Sequence, residues 1–221
     1  MNLKTILSYI SDISLEKSAS AYNPYLEVLL VKGRHQLITK NAIYSFEDKY
    51  DNFRQTFQKL DWDKFKPQKV LVLGLGLGSV IYMLEKTFKK KLEFTAVEID
   101  PEIIRLANKY SLSKINSSVE VIQTDGESFL NIDSRKYDLI IMDIFQNAKI
   151  PLRFNSLDFL ELLGSKLNPK ALLLYNRMNI SKDDSLLNAK FIDNSRLIFP
   201  NQEILEVKNN LILVSDKQFL L

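Results

Sequence analysis

Cysteine is absent from the 221 residues, and histidine occurs once, at His35. Disulfides, thiolate metal sites and cysteine nucleophiles are therefore excluded. A single imidazole leaves no His-rich metal centre, so no metal ligand is assigned. Long apolar runs are missing too, and no stretch approaches the ~20 residues needed to span a bilayer. The opening segment MNLKTILSYISDISLEKSAS does not read as a signal peptide, because Lys4, Ser8, Ser11 and Asp12 interrupt any apolar core. Charge of one sign is scarce as well: 30 Lys and Arg against 27 Asp and Glu give a net +3. That balance lacks the basic stripe of a nucleic-acid binder. The expectation is a protein with neither nucleic-acid nor membrane partners. The cysteine-free, lysine-rich composition points to a bacterial cytoplasm.

A hydrophobic fraction of 46% is enough for a sizeable core. The chain reads as two sections, 1–66 and 67–221. In the first, Leu3, Ile6, Leu7, Ile10 and Ile13 fall at helical spacing. YLEVLLV and HQLITK then flank the turn Lys32-Gly33-Arg34 and predict a hairpin over 25–43. Phe46, Tyr50, Phe53, Phe57 and Leu60 form a helical stripe read as core, with Ser45 and Asp48 resembling a capping box. From Lys69 onward, apolar strands alternate with helices: VLVLGLG, LEFTAVEID, VEVIQTD, YDLIIMD and ALLLYN are the strands. A closing hairpin is expected around the turn Asn209-Asn210. Near-continuous apolar strands alternating with helices predict an α/β fold, a doubly wound and mostly parallel seven-stranded sheet of Rossmann-like type. The small N-terminal section of helix and β-hairpin would pack on it.

The chemistry concentrates where strands end. Residues 69–84, KVLVLGLGLGSVIYML, place Gly74, Gly76 and Gly78 at the first strand-to-helix turn. Glycines there permit a tight turn and close approach of a ligand, and the following helix offers free N–H groups. The run is neither the dinucleotide fingerprint G-x-G-x-x-G nor a P-loop. Strand two ends Val97-Glu98-Ile99-Asp100-Pro101. An Asp before a Pro at the first helical position is an N-cap, so Asp100 reads as structural. Glu98, 24 residues after Gly74, can accept both hydroxyls of a ribose. Asp125-Gly126 closes strand three, where the acid can accept a bond from an adenine amino group or simply start a turn. Asp143 closes strand four, at the carboxyl edge where doubly wound sheets bind ligands.

Together, VLVLGLGLGS, AVEIDPEII, TDGESFL, YDLIIMD and LNPKALLLYN resemble class I S-adenosylmethionine-dependent methyltransferases, and more narrowly the spermidine synthase branch of that fold. The hairpin followed by AIYSFED is similar to that branch's N-terminal section. The resemblance implies S-adenosylmethionine, or its decarboxylated form, as the bound donor. It places Gly74, Gly76 and Gly78 along the methionine part, Glu98 with Ile99 at the ribose, and Asp125 with Gly126 at the adenine. It implies that Asp143 helps to hold the donor and orients and deprotonates the accepting amine, that Tyr44 stands near the acceptor, and that the chain forms a homodimer through its N-terminal section.

The sequence departs from that branch at the reacting end. Leu77 stands where the resemblance expects an acid, Ser45 follows Tyr44 where a histidine is usual, and Asp143 is followed by Ile144-Phe145-Gln146-Asn147 without a second acid. A polyamine carries several charges and needs more than one carboxylate in a closed site. On this ground the expectation is methyl transfer to a small-molecule acceptor, with Asp143 and Tyr44 as catalytic residues. The alternatives are aminopropyl transfer from the decarboxylated donor, and binding of an adenosyl ligand without turnover.

Overall fold

In the computed structural model, residues 3–40, 42–146 and 149–221 are described. Two sheets organise the chain. The larger has seven strands in the order β10-β11-β9-β8-β5-β6-β7, built from β5 (Lys69–Leu73), β6 (Glu93–Glu98), β7 (Ser118–Gln123), β8 (Tyr137–Met142), β9 (Leu167–Met178), β10 (Glu203–Val207) and β11 (Asn210–Val214). Strands β5 to β9 run parallel, and β11 returns antiparallel to β9. This is the mostly parallel seven-stranded Rossmann-like fold that the alternation predicts.

The strand period explains why both faces are covered. Val70, Val72, Leu139, Ile141, Leu172 and Leu174 face one core cluster, with α2 (Asp51–Gln58) and α3 (Ser79–Tyr82). Leu71, Leu73, Ile140, Met142, Leu173 and Tyr175 face the other, against α5 (Gly126–Ile132), α6 (Leu157–Ser165) and α7 (Lys182–Ile198). The helix begun at Ser79 widens into a π turn over Met83–Thr87, with the Phe88 N–H donating to the Met83 carbonyl at 2.9 Å.

The smaller sheet differs from the expected hairpin. It has four antiparallel strands, β1 (Ile13–Ser18), β2 (Leu26–Val31), β3 (Arg34–Ile38) and β4 (Ile43–Ser45). The expected N-terminal helix stops early, at α1 (Leu3–Leu7). The turn of the β2–β3 hairpin captures Ser8: the Lys32 N–H bonds its carbonyl at 2.8 Å and the Gly33 N–H its hydroxyl at 2.9 Å. Ile13 therefore lies in a strand. The expected capping box is also absent. The Ser45 hydroxyl meets the Ser79 hydroxyl at 2.6 Å, and α2 begins at Asp51 without a side-chain cap. The closing turn is Lys208-Asn209, one residue earlier than expected, with Lys208 at φ 53°. His35 is not a free surface residue: its Nδ1 lies 2.9 Å from Glu47 and 2.9 Å from the Lys114 ammonium. Trp62 packs on Phe57, Phe65 and Phe88.

The small sheet is bolted to the large one at the turns that follow β5 and β6. Leu26, Val28 and Leu37 pack with Leu77, Ile103 and Leu106 of α4 (Pro101–Tyr110). Asp100 is buried and caps α4 through the Glu102 N–H at 2.9 Å. Its second oxygen accepts from Ser20 at 2.5 Å and Asn23 at 2.8 Å. The structural reading of Asp100 thus extends to holding the N-terminal section.

Gly74 is the tightest point of the large sheet. Its φ is +92°, and a Cβ there would lie 2.5 Å from the Asp143 carbonyl oxygen. Gly74→Ala combines an unfavourable backbone region, costing roughly 1–2 kcal/mol, with a collision against main chain. The expected loss of stability is ~2 kcal/mol or more, read from urea denaturation midpoints. A variant within about 0.5 kcal/mol of wild type, the ordinary range of a surface change, would refute this account of the glycine.

Candidate active site

The carboxyl ends of β5, β6, β7, β8 and β9 lie side by side, and β5 sits between β6 and β8, where the winding reverses direction. This is the position at which doubly wound sheets open a crevice. A cavity of about 450 Å³ occupies it, a volume suited to a small-molecule ligand. Among the expected residues, Tyr44, Gly74, Gly76, Glu98, Ile99, Asp125, Gly126 and Asp143 all line it. Gly78 does not. It precedes α3 at φ +82°, and a Cβ there would touch Leu112 at 3.0 Å, so its role is in the turn rather than on the cavity wall.

Glu98 ends β6 and is half-buried beneath the glycine turn. Its two oxygens accept from the Leu75 N–H at 3.1 Å and the Asp100 N–H at 3.0 Å. Burial pushes its pKa up, against the backbone donors that lower it. Each oxygen retains acceptor capacity, which suits a pair of vicinal hydroxyls. Asp125 caps α5, accepting from Glu127 and Ser128 N–H groups at 3.1 Å each. Its other oxygen is not open as the sequence suggested, because it pairs with Arg153. Gly126 lies under Ile144, whose Cδ1 would be 2.7 Å from an added Cβ. Gly76, at φ +53°, faces the Tyr44 carbonyl, 3.0 Å from where a Cβ would stand. The small sheet therefore roofs the glycine turn.

Asp143 is a strongly perturbed group in the cavity. Its main chain is pinned to β5 by its N–H donating to the Leu73 carbonyl at 2.8 Å. Its Oδ1 accepts from the Asn176 amide at 2.8 Å and the Tyr50 hydroxyl at 3.3 Å. Among the described residues no cation pairs with it. Burial raises its pKa to about 7, against the two donors that lower it. Tyr50 in turn stays protonated, since burial and the neighbouring carboxylate both raise its pKa. Asn176 is itself fixed, because its Oδ1 accepts from the Asn210 amide at 2.8 Å. That bond selects the amide orientation in which Asn176 donates to Asp143.

Tyr50, Asn176 and Asn210 were not singled out from the sequence. Tyr50 looked like one more aromatic on a core stripe. Asn176 carried a usable signal, a polar residue closing the apolar strand ALLLYN at the carboxyl edge. Asn210 was read as a turn residue and is instead the first residue of β11. Tyr44 lines the cavity, yet the tyrosine that reaches Asp143 is Tyr50. Asn147, in the run that follows Asp143, lies outside the described residues. Among the described residues no cluster of His, Asp and Glu is arranged to hold a metal ion, and no helix is long and apolar enough to cross a membrane.

The raised pKa of Asp143 carries a stability consequence. An unfolded Asp titrates near 3.9, so between pH 4 and 7 the folded state binds the extra proton and stability falls as pH rises. Below pH 4 the penalty vanishes; above pH 7 it is complete. Asp143→Asn keeps the acceptor for Asn176 and cannot ionise. It is expected to be more stable than wild type at pH 8, by on the order of 2–4 kcal/mol, with a much smaller difference at pH 4.5. Urea titrations at the two pH values measure this, and an equal difference at both would contradict it.

Comparison with known proteins bears on the family and the fold. Residues 57–203 match the spermine/spermidine synthase domain. A probable polyamine aminopropyl transferase of Bifidobacterium longum is 31% identical over 131 residues, 59% of this chain and 29% of that protein. A polyamine aminopropyltransferase of Vibrio vulnificus is 28% identical over 120 residues, 53% of this chain and 40% of its own length. The chain thus spans less than half of either curated relative. Among solved structures, human methyltransferase-like protein 13 in complex with SAH superposes with a TM-score of 0.57 at 25% identity, covering 68% of this chain and 72% of that one. With about two-thirds of its residues matched and the fold's glycine turn and strand-end acids gathered round one cavity, the chain belongs to the spermine/spermidine synthase domain family.

Proposed function

We propose that the protein is a transferase that moves an alkyl group from an S-adenosyl sulfonium donor to an amine, in the manner of an aminopropyltransferase. The observation that carries this reading is the placement of Asp143, a half-buried carboxyl held by Asn176 and Tyr50 and facing the same cavity as Glu98 and the glycine turn. The family and the names of the matched relatives favour aminopropyl transfer over the methyl transfer expected from Leu77 and the loop after Asp143.

The residues fit an adenosyl ligand. Glu98 keeps acceptor capacity for ribose hydroxyls, and Gly76 leaves the wall without a Cβ beneath the Tyr44 carbonyl. Asp125 and Gly126 line the same cavity and would border the adenine, with the Arg153 guanidinium that pairs with Asp125 beside it. The bound donor supplies a sulfonium carbon that accepts the amine lone pair as the carbon–sulfur bond breaks and a neutral thioether leaves. Asp143 takes the proton that the amine must lose, a transfer favoured by a pKa near the working pH. Tyr50 and Asn176 hold Oδ1, which leaves Oδ2 to the acceptor.

A second reading, methyl transfer from the intact donor, is favoured by one observation. Leu77 is 1% exposed and packs on Leu26, Val28, Leu37 and Ile103, so the glycine turn offers no carboxylate to the donor's ammonium. Calorimetric titration with decarboxylated S-adenosylmethionine, the intact form and S-adenosylhomocysteine separates the two. The decarboxylated form is expected to bind tightest, and Glu98→Gln to weaken all three by about ten-fold or more, the scale of a hydrogen bond to a charged acceptor. Preference for the intact donor would replace aminopropyl by methyl transfer. No binding of any of the three would remove the transferase reading.

A further inference from the structure

The acceptor end of the cavity presents cations where a polyamine would need anions. Its wall beyond Asp143 comes from Lys49 to Asn52, at the start of α2, and from Asn176 and Lys208 to Asn210, at the end of β9 and in the β10–β11 turn. The carboxylates lining the cavity are Asp51, Glu98, Asp100, Asp125 and Asp143. Three of them are already committed. Asp100 caps α4 and holds Ser20 and Asn23. Asp125 caps α5 and pairs with Arg153. Asp51 pairs with both Arg54 and Lys208. Glu98 belongs to the glycine turn. Asp143 is thus the one carboxyl left for the acceptor, and a diamine brings two ammonium groups.

The cations are not matched in the same way. Arg54 and Lys208 share the single carboxylate of Asp51, which leaves a unit of positive charge beside Tyr50. Lys49, on the same rim, makes no ion pair within 4.0 Å among the described residues. The other side chains there, Asn52, Gln146, Asn209 and Asn210, are amides, which serve an anion as well as a cation. Lys208 is also well placed as an anchor. It sits at φ 53° in a two-residue turn whose flanking strands pair without a register shift, so its backbone is fixed at the rim.

We propose that the acceptor is an amine bearing a carboxylate, with its nitrogen at Asp143 and its carboxylate at Lys208, and not an α,ω-diamine. This deepens the transfer reading above and rests on it. Lys208 is then a specificity-determining residue: in the resting protein Asp51 neutralises it in part, and the acceptor's carboxylate takes up the charge left over from Arg54 and Lys208. The transfer itself is unchanged, with the amine proton going to Asp143 and the thioether leaving.

The test compares molecules that differ only in the remote group. Protein saturated with 5′-methylthioadenosine is titrated calorimetrically with 4-aminobutyrate and with 1,4-diaminobutane. The pairs one carbon shorter and one carbon longer are run alongside, so that length does not decide the result. The amino acid is expected to bind about ten-fold or more tightly than the matched diamine in at least one pair. Lys208→Glu is expected to reverse the preference, and Lys208→Met to abolish it. Preference of the wild type for the diamine, failure of every amino acid to bind, or a preference unmoved in Lys208→Glu would overturn the proposal. If 5′-methylthioadenosine itself does not bind, the transfer reading falls and takes this inference with it. If it binds and the diamine wins, only the choice of acceptor is wrong.

Discussion

The site depends on how closely the end of β8 approaches the end of β5. Asp143 can rest its main chain on residue 74 only because residue 74 has no Cβ; an added one would lie 2.5 Å from the Asp143 carbonyl oxygen. The Asp143 N–H still completes the ladder to Leu73 at 2.8 Å. The carboxyl is thereby held half-buried in the wall of the crevice, at the end of a strand whose side chains enter both apolar cores. Its raised pKa follows from that placement. A side chain at Gly74 would push β8 outward and return Asp143 towards water.

A half-buried acid without a cation needs its orientation fixed by neutral groups. Here two amides in series and one phenol do so. Asn210 orients Asn176, and Asn176 and Tyr50 donate to one oxygen of Asp143, while the other faces the cavity. Neutral donors lower the pKa less than a lysine or arginine would, so the proton affinity stays near neutrality. The arrangement also spans elements far apart in sequence, joining α2, β8, β9 and β11. The instability of an uncompensated acid is the counterpart of its usefulness as a base.

Much of this was legible in the sequence. Strand-end acids follow from the parallel sheet, since each apolar strand must stop at the same edge, and that logic located Glu98, Asp125 and Asp143. The Asp-Pro pair identified Asp100 as a helix cap, and the glycine turn marked the first crossover. What was not legible depends on long-range contacts. Ser45 looks like a cap in sequence, but Ser79 lies 2.6 Å from its hydroxyl in space. Ile13 keeps helical spacing with Ile6 and Ile10, yet the β2–β3 turn captures Ser8 and the chain enters a strand. Arg153 comes from a loop that no motif marks, and it occupies the acid assigned to adenine. Tyr50 could not be separated from Phe53 and Phe57 by periodicity, because all three share one helical stripe and only the first reaches the cavity.

The central claim, that the fold holds Asp143 as a near-neutral base, is tested most directly by carboxyl carbon NMR. The protein is labelled with ¹³C at the Asp carboxyl carbon, the Asp143 resonance is assigned by its loss in Asp143→Asn, and it is followed from pH 4 to pH 9. The account predicts a midpoint at about 7. A midpoint near 4, the ordinary value for an exposed aspartate, would contradict it.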